Sequence, residues 1–503
     1  NVAVNGQNLV THNDGGISGG SYPPASRVYA ANANYNSGSD NINVAYTFNV
    51  SADPSGTAAT YIDYFELNLK RALSLSADAM TFRSISSIGS GSISNFQLNN
   101  ATGSTKVWDV TDIGNIQEMQ GTLNGAQFSF VTATDVLKEF VALNTNGSFA
   151  NPEYIGKIEN QNLHALGQPD MLIVTADEFI SPSNELANFH RSYDNISVEV
   201  VKLSQIYNEF GSGKPDISAI RDFVKMFYDR AGSDSALLPR YLLLMGDGTY
   251  DPKNRVPNNN NFLSTYQSIE SDSPLSSYTS DDFFGLLDSN EGGDITGGNQ
   301  LLDIGIGRLT AGSEQDAWDM VNKIKNYKRP VPSANCVQLS SNASWRNMIT
   351  FIGDDEDGNV HLSSSDILAE QTRALHPEYN YEKIYLDAFK EVQTSAGARY
   401  PDVNTAILNR INAGALIVNW VGHGGETNWA HERIFNMADI VPLANGEKLP
   451  MFITATCDFS RFDLPDRTAG EWLIVNGKGG GIASLTTVRL VYSSGNAILN
   501  DAA

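Results

Sequence analysis

Short, predominantly apolar runs recur along the C-terminal two thirds of the chain, and helix-length segments of mixed polarity separate them. The clearest runs are Met171–Thr175, Tyr241–Met245, Met348–Ile352, Ala415–Trp420 and Met451–Thr454. A strand that is apolar on both faces is typical of a parallel sheet covered by helices on both sides. The alternation therefore predicts an α/β fold. None of the runs approaches the roughly 20 apolar residues that a membrane-spanning helix needs.

Residues 1–165 follow a different pattern. Asn, Ser, Gly and Thr are frequent there, and short segments such as 59–69 and 121–131 alternate between polar and apolar residues. Period-two alternation interrupted by turn residues predicts an antiparallel β domain. A docking module and a structural cap are both compatible with this pattern, and the choice between them stays open.

The α/β pattern falls into two cycles, because a linker that contains Pro330 and Pro332 interrupts it. We therefore predict a β-rich domain over 1–165, a first α/β subdomain over 166–332 and a second one over 333–503. The chain begins at Asn1 without an initiator Met, and it stops within a segment that looks like the opening of a helix. We expect a mature fragment of a longer protein whose C-terminal part is missing.

The amino-acid composition argues against several classes of function. The 503 residues include 33 Lys and Arg against 57 Asp and Glu, a formal net charge of −24. This acidity argues against binding to duplex nucleic acid, whose phosphates require basic side chains. The two cysteines, Cys336 and Cys457, are too few for a disulfide-dense scaffold or a zinc module built from several cysteines. Few cysteines and many Asn, Ser, Thr and Gly residues favour an extracytoplasmic bacterial protein.

Two of the apolar strands run directly into reactive side chains. The strand at 415–420 is followed by Val-Gly-His423-Gly-Gly, and the strand at 451–454 by Ala-Thr-Cys457. Ligands of open α/β sheets bind beyond the carboxyl ends of strands, so we expect His423 and Cys457 to share one crevice. A thiolate activated by an imidazole is the nucleophile of cysteine catalysis. The amides of Gly424 and Cys457 are candidates for an oxyanion hole.

The same residues also have a purely structural explanation. A Cys after an apolar strand is commonly a small buried hydrophobic residue, and a His before glycines can cap a turn. The residues by themselves leave both interpretations open. Cys336 follows no strand and has no neighbouring His, so we do not expect it to be the nucleophile. A Cys336–Cys457 disulfide is a further alternative, and it would block the site.

Longer segments resemble a known family. A His-Gly pair and a Cys after successive apolar strands resemble the arrangement of the caspase/gingipain clan of cysteine peptidases. Within that clan, seven segments are similar to the gingipain-like sortases of the type IX secretion system in Bacteroidetes, the PorU family of C25 peptidases. The segments are Tyr61–Leu67, Val107–Asp112, Tyr241–Asp251, Asp281–Asp288, Asp303–Arg308, Phe351–Gly358 and Thr454–Cys457. The resemblance extends over nearly the whole chain.

The resemblance implies two consecutive caspase/gingipain-like α/β subdomains with parallel-rich sheets, preceded by the antiparallel β domain. It implies that Cys457 attacks the scissile carbonyl, that His423 protonates the leaving amine and that a thioester forms. Family members remove the C-terminal signal domain of secreted cargo and join the cargo to an amine of anionic lipopolysaccharide. The implied third partner is a PorV-like outer-membrane β-barrel shuttle. The implied location is the extracellular face of the outer membrane, and no cofactor is required for catalysis.

The same resemblance implies roles for an acidic cluster at 354–357 and for a segment near the C-terminus. An acid of the cluster orients His423 or recognises substrate, and the candidates are Asp355 and Glu356. A solvated acidic turn or a calcium site is the alternative. Thr487 and Arg489 line the P1 pocket, unless Arg489 simply pairs with a carboxylate.

Less specific roles are predicted for two other segments. The acidic loop Asp288–Asp294 is another candidate for a structural calcium ion, with a plain surface loop as the alternative. His431 and Glu432, which lie between the two reactive residues, are interpreted as surface or lid residues.

Two other functions remain open at this level. One is a gingipain-like endopeptidase that hydrolyses its thioester, and the other is a non-catalytic surface scaffold that retains the fold. The sortase and the endopeptidase would share the same His and Cys, so the sequence near these residues does not separate them. In a scaffold, Cys457 would be dispensable and either buried or disulfide-bonded.

Overall fold

The structure is a computed structural model, and it describes residues 1–13, 22–39, 41–49, 59–293, 295, 300–328 and 344–503. The chain forms two compact units. One comprises residues 1–9 and 36–159, and the other comprises residues 10–35 and 160–503. The first unit is built from β-strands, and the second contains two parallel sheets with their helices.

The N-terminal unit has a core between two antiparallel sheets. Phe96 and Phe130 come from one sheet and Phe140 from the other, and their ring centroids lie 5.1–5.2 Å apart. The predicted antiparallel β domain is confirmed. The strands of this part of the chain are Val2–Val4, Gln7–Val10, Val44–Tyr46, Ala79–Arg83, Ile93–Asn99, Thr105–Asp109, Gln117–Glu118, Gly121–Asn124, Gln127–Ala133 and Glu139–Asn144.

Two alternating segments of this region differ from the simple expectation of one strand each. The segment 121–131 is a hairpin, because Gly125 adopts a left-handed conformation with φ of +61° and reverses the chain. The segment 59–69 forms no strand, and Tyr61 and Tyr64 are 90% and 78% exposed. Alternation alone is insufficient there because no neighbouring strand pairs with the backbone.

The first α/β sheet contains four parallel strands, with the strand nearest the N-terminus in an inner position. The helix Ile217–Ala231 begins where the Asp216 carboxylate accepts the Ser218 amide at 2.9 Å. The strands are Val198–Lys202, Met171–Thr175, Tyr241–Met245 and Gly305–Leu309 in spatial order, and the helices are Ile180–Phe189, Leu203–Phe210, Ile217–Ala231 and Glu314–Lys328.

The second α/β sheet contains five parallel strands. In spatial order these are Asn380–Tyr385, Met348–Gly353, Ile417–Val421, Met451–Ala455 and Ala483–Leu485. The helices are Glu356–Leu375, Pro401–Ala413, Met437–Ile440, Ala469–Val475 and Ser493–Ala502. Pro401 suits the first turn of its helix, where its missing N–H costs nothing. The two parallel sheets confirm the predicted fold class.

Short hairpins complete the second unit. They pair Tyr266–Gln267 with Thr279–Ser280, Val392–Thr394 with Gly397–Arg399, and Gly424–Gly425 with Asn428–Trp429 and then Phe435–Asn436. The last of these is attached to the second sheet by the stacked, fully buried rings of Trp420 and Trp429, whose centroids lie 5.4 Å apart. This stacking holds the chain segment that follows His423.

A buried lysine connects the two α/β sheets. Lys323, on the helix Glu314–Lys328, donates to the carbonyl oxygens of Ile474 and Gly479, both at 2.8 Å. Burial lowers the pKa of this ammonium group to about 7. The contact lies inside the second compact unit, which contains both sheets. The boundary predicted between residues 332 and 333 lies outside the described residues, and the three domain ranges stay predictions.

No helix in the described part of the chain is both long and apolar enough to cross a membrane.

Candidate active site

His423 and Cys457 follow two strands that are direct neighbours in the second α/β sheet. Ile417–Val421 and Met451–Ala455 pair in parallel, with Val421 opposite Ala455. The amide of Gly422 also donates to the Ala455 carbonyl at 3.2 Å, which keeps the two chains aligned beyond the strand end. Each reactive residue therefore lies two positions beyond a paired residue. Neighbouring strands are about 4.8 Å apart, so both residues leave the sheet at the same edge.

Four side chains surround His423. Its ring nitrogen Nε2 lies 3.1 Å from Oδ2 of Asp357, and its backbone N–H donates to Oδ2 of Asp354 at 2.8 Å. The ring of His361 meets it edge-on with centroids 4.9 Å apart, and the ring of His431 stacks on it at 5.0 Å. The imidazole is thus held in one orientation by a carboxylate and two other rings.

The contact with Asp357 determines the roles of the two ring nitrogens of His423. An ionised carboxylate only accepts hydrogen bonds, so Nε2 carries the hydrogen and donates it. Among the residues that the structure describes, Nδ1 has no hydrogen-bond partner. In this tautomer Nδ1 has a free lone pair, which is what a base that takes a thiol proton requires.

A left-handed turn positions Asp357. Residues 357, 358 and 359 have φ values of 54°, 66° and 65°, inside the helical segment Glu356–Leu375. Their sequence is Asp-Gly-Asn, and these residue types tolerate the left-handed region best. The turn leaves Oδ2 of Asp357 within 3.5 Å of Nε2 of His361 as well as in contact with His423.

Asp354 holds the backbone of His423 rather than its ring. The side chain is completely buried, and burial raises the pKa of this carboxyl above its ordinary range, while the hydrogen bond from the His423 amide opposes the rise. Its own backbone carbonyl accepts the Leu362 amide at 3.1 Å. Asp354 therefore joins the strand end at His423 to the start of the neighbouring helix.

Asp355 and Glu356, the acids expected beside His423, lie elsewhere. Oδ2 of Asp355 accepts the hydroxyl of Tyr400 at 2.6 Å. Glu356 is exposed, and within the described ranges it has no hydrogen bond or ion pair. Asp354 and Asp357 therefore contact His423 instead of these two residues, and substrate recognition by Asp355 or Glu356 stays a prediction. Successive residues point in different directions, and only the turn at 357–359 decides which carboxylate reaches the imidazole.

Cys457 has a half-buried, free thiol. Its Sγ donates to the carbonyl oxygen of Val491 at 3.7 Å, and among the described residues it makes no hydrogen bond to His423. Burial, and then the adjacent carboxylate of Asp458, raise the pKa of the thiol. The resting side chain is therefore mainly the neutral thiol at neutral pH, and its activation includes a proton transfer. Cys336, the other half of the disulfide alternative, lies outside the described residues.

The residues beside the two reactive side chains are in close contact. A Cβ added at Gly424 would lie 2.4 Å from Oγ1 of Thr456 and 3.3 Å from the Asn428 carbonyl oxygen. Thr456 is buried, and its hydroxyl has no hydrogen-bond partner in the described part of the chain. Glycine at position 424 therefore lets the two strand ends approach. The oxyanion hole expected from the amides of Gly424 and Cys457 stays a prediction.

Thr487 and Arg489 lie close to the nucleophile, but their polar groups are occupied. The Thr487 hydroxyl donates to the carbonyl of Thr456, the residue before Cys457. The guanidinium of Arg489 forms a bidentate ion pair with the fully buried Asp463, with one contact of 2.8 Å. Arg489 is thus paired with a carboxylate, which was the alternative to a role in the P1 pocket. A P1 role for this side chain does not fit a guanidinium already paired.

Other residues of the site were missed or assigned differently from the sequence. His361 was not singled out, because the left-handed turn at 357–359, and not a regular helical spacing, brings it within 3.5 Å of Asp357. His431 is exposed, as expected, but it stacks on His423. Glu432 is not a surface residue: it is only 6% exposed, and burial raises its pKa. The calcium loop predicted at 288–294 includes Asp294, which lies outside the described residues, and stays a prediction.

A comparison with models of known protein families identifies the family of this chain. The family model of Peptidase family C25 matches residues 164–503, which is more than half of the chain. The chain belongs to peptidase family C25. The gingipain-like cysteine peptidase expected from the sequence is confirmed at the level of the family.

Two gingipains of Porphyromonas gingivalis are among the relatives of this C25 peptidase. Gingipain R2 and gingipain R1 are each 25% identical to it over 242 residues, which is 48% of this chain. The match covers 26% of the length of gingipain R2 and 19% of gingipain R1. The chain therefore corresponds to about a quarter or less of these relatives.

Solved structures overlap with the C25 peptidase in part. A dimeric latent PorU from Porphyromonas gingivalis is 28% identical, with 51% of this chain and 25% of that chain covered and a TM-score of 0.44. The Arg-specific cysteine proteinase gingipain R is 17% identical, with 68% of each chain covered and a TM-score of 0.47.

Proposed function

We propose that this C25 peptidase cleaves peptide bonds with Cys457 as nucleophile and His423 as its proton-transfer partner. The observation that supports the proposal is the matched position of the two residues, each two positions beyond paired residues of neighbouring parallel strands. Cysteine catalysis requires a thiol and a base within reach of one substrate carbonyl. The half-buried thiol and the oriented imidazole provide both groups at one sheet edge.

The reaction follows from the protonation states of these groups. Nδ1 of His423 takes the Sγ proton as Sγ attacks the scissile carbonyl, and the amides of Gly424 and Cys457 stabilise the oxyanion. The imidazolium then returns the proton to the leaving amine, the C–N bond breaks and a thioester remains on Cys457. Attack by an amine or by water on the thioester regenerates the thiol. Asp357 stabilises the imidazolium during the first step.

We further propose that the acceptor is an amine, and that the enzyme acts as a sortase. The seven segments that resemble the sortases of the type IX secretion system support this step. The cargo would be secreted proteins with C-terminal signal domains, and the acceptor an amine of anionic lipopolysaccharide. The site would be the extracellular face of the outer membrane, where a PorV-like β-barrel shuttle would hold the enzyme.

Hydrolysis is the second candidate, and the similarity to the gingipains favours it. Gingipain R2 and gingipain R1 match nearly half of this chain. A hydrolase and a sortase form the same thioester, and they differ only in which nucleophile reaches it. A sortase must position the acceptor amine beside the thioester and keep water away from it.

Mass spectrometry of the product distinguishes these outcomes. Cargo that carries its C-terminal signal is incubated with the full-length protein and an amine acceptor. Wild type is compared with Cys457→Ala, and Cys336→Ala serves as the matched cysteine control. Cleaved cargo that carries the acceptor mass, absent only with Cys457→Ala, would support the sortase.

Each other result has a definite meaning. Cleaved cargo with the mass of added water only would replace the sortase by a hydrolytic peptidase. Cargo that is cleaved equally by the Cys457→Ala protein would rule out Cys457 as the nucleophile. Intact cargo with every variant would contradict the sortase proposal and favour the scaffold, in which Cys457 is dispensable.

A further inference from the structure

Three potential metal ligands converge on one side of His423. They belong to Asp357, His361 and His423, and one ligand atom from each side chain lies within 4.8 Å of the other two. The carboxylate oxygen is 3.1 Å from Nε2 of His423 and 3.5 Å from Nε2 of His361. Peptide cleavage by a thiol and an imidazole does not require this convergence, because His361 has no role in that chemistry.

These separations match those of a tetrahedral metal site. Ligand atoms about 2.0–2.1 Å from a zinc ion at the tetrahedral angle lie about 3.3 Å from one another. The two oxygen–nitrogen distances of 3.1 Å and 3.5 Å fall on either side of that value. Two imidazoles, one carboxylate and a water molecule are a common set of zinc ligands.

His361 gives independent support for a ligand at this place. It is only 8% exposed, and the 3.5 Å separation from Oδ2 of Asp357 is too long for a normal hydrogen bond, so Nε2 has no hydrogen-bond partner among the residues that the structure describes. A buried polar atom without such a partner is costly, so it requires an explanation.

We propose that Asp357, His361 and His423 bind a divalent transition-metal ion of the zinc type, and that this ion switches off the peptidase. The ion-binding part stands on the geometry of the three side chains alone. The inhibitory part rests on the proposed function of His423.

The tautomer of His423 explains the inhibition. In the metal-free enzyme Nε2 carries the hydrogen and Nδ1 is free to accept the thiol proton. An ion on Nε2 requires the lone pair of that atom, so the ring hydrogen is then on Nδ1. Nδ1 then has no lone pair for the Cys457 proton. The carboxylate of Asp357 then binds the ion and no longer accepts a hydrogen bond from Nε2 of His423.

Cobalt(II) is the probe for the site, because tetrahedral cobalt gives an intense visible absorption. The full-length protein is treated with a chelator, desalted and titrated with cobalt chloride, and zinc chloride is then used to displace the cobalt. We expect tetrahedral absorption that saturates at one equivalent. His361→Asn and Asp357→Asn should each weaken cobalt binding by about tenfold or more, and Cys457→Ala should not.

His376→Asn is the matched histidine control. His376 follows the same helix at its other end, and its exposed ring contacts Glu378 at 3.2 Å. It should bind cobalt like wild type. Asp357 has a side chain that is 61% exposed, so its substitution tests the site even if the buried His361 variant does not fold. Equal binding by wild type and the Asp357→Asn protein, or no tetrahedral absorption with wild type, would overturn the metal site.

A second assay separates binding from inhibition. Cleavage by wild type and by His361→Asn is measured against zinc concentration, with each rate divided by that of the same protein without metal. We expect His361→Asn to need about tenfold more zinc for half inhibition. Equal zinc sensitivity would place the inhibition elsewhere, for example on Cys457 itself, and would overturn the switch. If no cleavage occurs without metal, the proposed function fails, whereas the cobalt titration still decides the metal site.

Discussion

The Oδ2 atom of Asp357 lies 3.1 Å from Nε2 of His423, and this contact assigns the free lone pair of the imidazole to Nδ1. The acid that orients the imidazole comes from a left-handed turn at 357–359. His423 is thus oriented by a residue that follows the neighbouring strand Met348–Gly353 of the same sheet.

Replacing Asp357 by Asn should reduce kcat while leaving KM nearly unchanged, because the contact supports the imidazolium and not the substrate. The carboxylate is 61% exposed, and an exposed ion pair is worth up to about 1 kcal/mol, which corresponds to a reduction of about fivefold. Steady-state kinetics with a peptide substrate measures the effect. Asp355→Asn and Glu356→Gln should reduce kcat less. A larger loss in either of them would return the role to the acids expected from the sequence.

Asp458 should control the reactivity of Cys457. Burial is the main cause of the raised pKa of the thiol, and the Asp458 carboxylate adds to it. In Asp458→Asn the thiolate should therefore form at lower pH, so the pH profile of alkylation by iodoacetamide should shift to lower pH. Mass spectrometry of the peptide that contains Cys457 separates this residue from Cys336.

The substitution at 458 is also compatible with the backbone. Asp458 has φ of 51°, and Asn tolerates the left-handed region as well as Asp does. Asp466→Asn is a suitable control, since it removes the same charge elsewhere in the segment that follows Cys457. An unchanged profile in Asp458→Asn, or an equal shift in the control, would show that burial alone sets the pKa of the thiol.

Gly424→Ala should impair catalysis through a steric conflict with Thr456. The added Cβ would lie 2.4 Å from Oγ1 of Thr456 and 3.1 Å from its Cγ2, so the two strand ends would have to separate. A displacement of about 1 Å at the reacting groups can reduce the rate about 100-fold. Thr456→Ala removes both atoms and should restore much of the activity in the double variant. A double-mutant cycle of kcat/KM measures the coupling, and purely additive effects would contradict the conflict.

The Arg489–Asp463 ion pair should contribute to stability rather than to specificity. Arg489 is 8% exposed and Asp463 is fully buried, so Arg489→Ala removes the ion-pair partner of a buried carboxylate. Among the described residues, that carboxylate is left with only Gln267 at 3.3 Å and Arg461 at 3.9 Å. We expect a loss of about 3 kcal/mol in the free energy of unfolding, at the lower end for a broken buried ion pair, seen as a lower urea midpoint. The double variant Arg489→Met/Asp463→Leu should be more stable than Arg489→Ala. If Arg489→Ala instead keeps its stability and changes the preferred P1 residue, the P1 role expected from the sequence would be correct.

Much of the fold could be predicted because it depends on local patterns. The apolar runs at 171–175, 241–245, 348–352 and 451–454 are strands of the two parallel sheets in the structure. A period of two or of 3.6 residues acts over a few neighbours and is visible in the sequence. The two incorrect strand predictions also rested on local patterns alone. The alternation at 59–69 has no partner strand, and the segment 121–131 reverses at one glycine.

The sequence by itself determined that His423 and Cys457 each follow an apolar strand, because both the strand and the reactive residue are local features. Only the tertiary structure decided that those strands are neighbours with Val421 opposite Ala455. It also decided that Asp357, and not Asp355 or Glu356, reaches the imidazole, and that Arg489 is paired with a buried carboxylate. Such choices depend on pairing and burial between residues far apart in the chain, which no local pattern encodes.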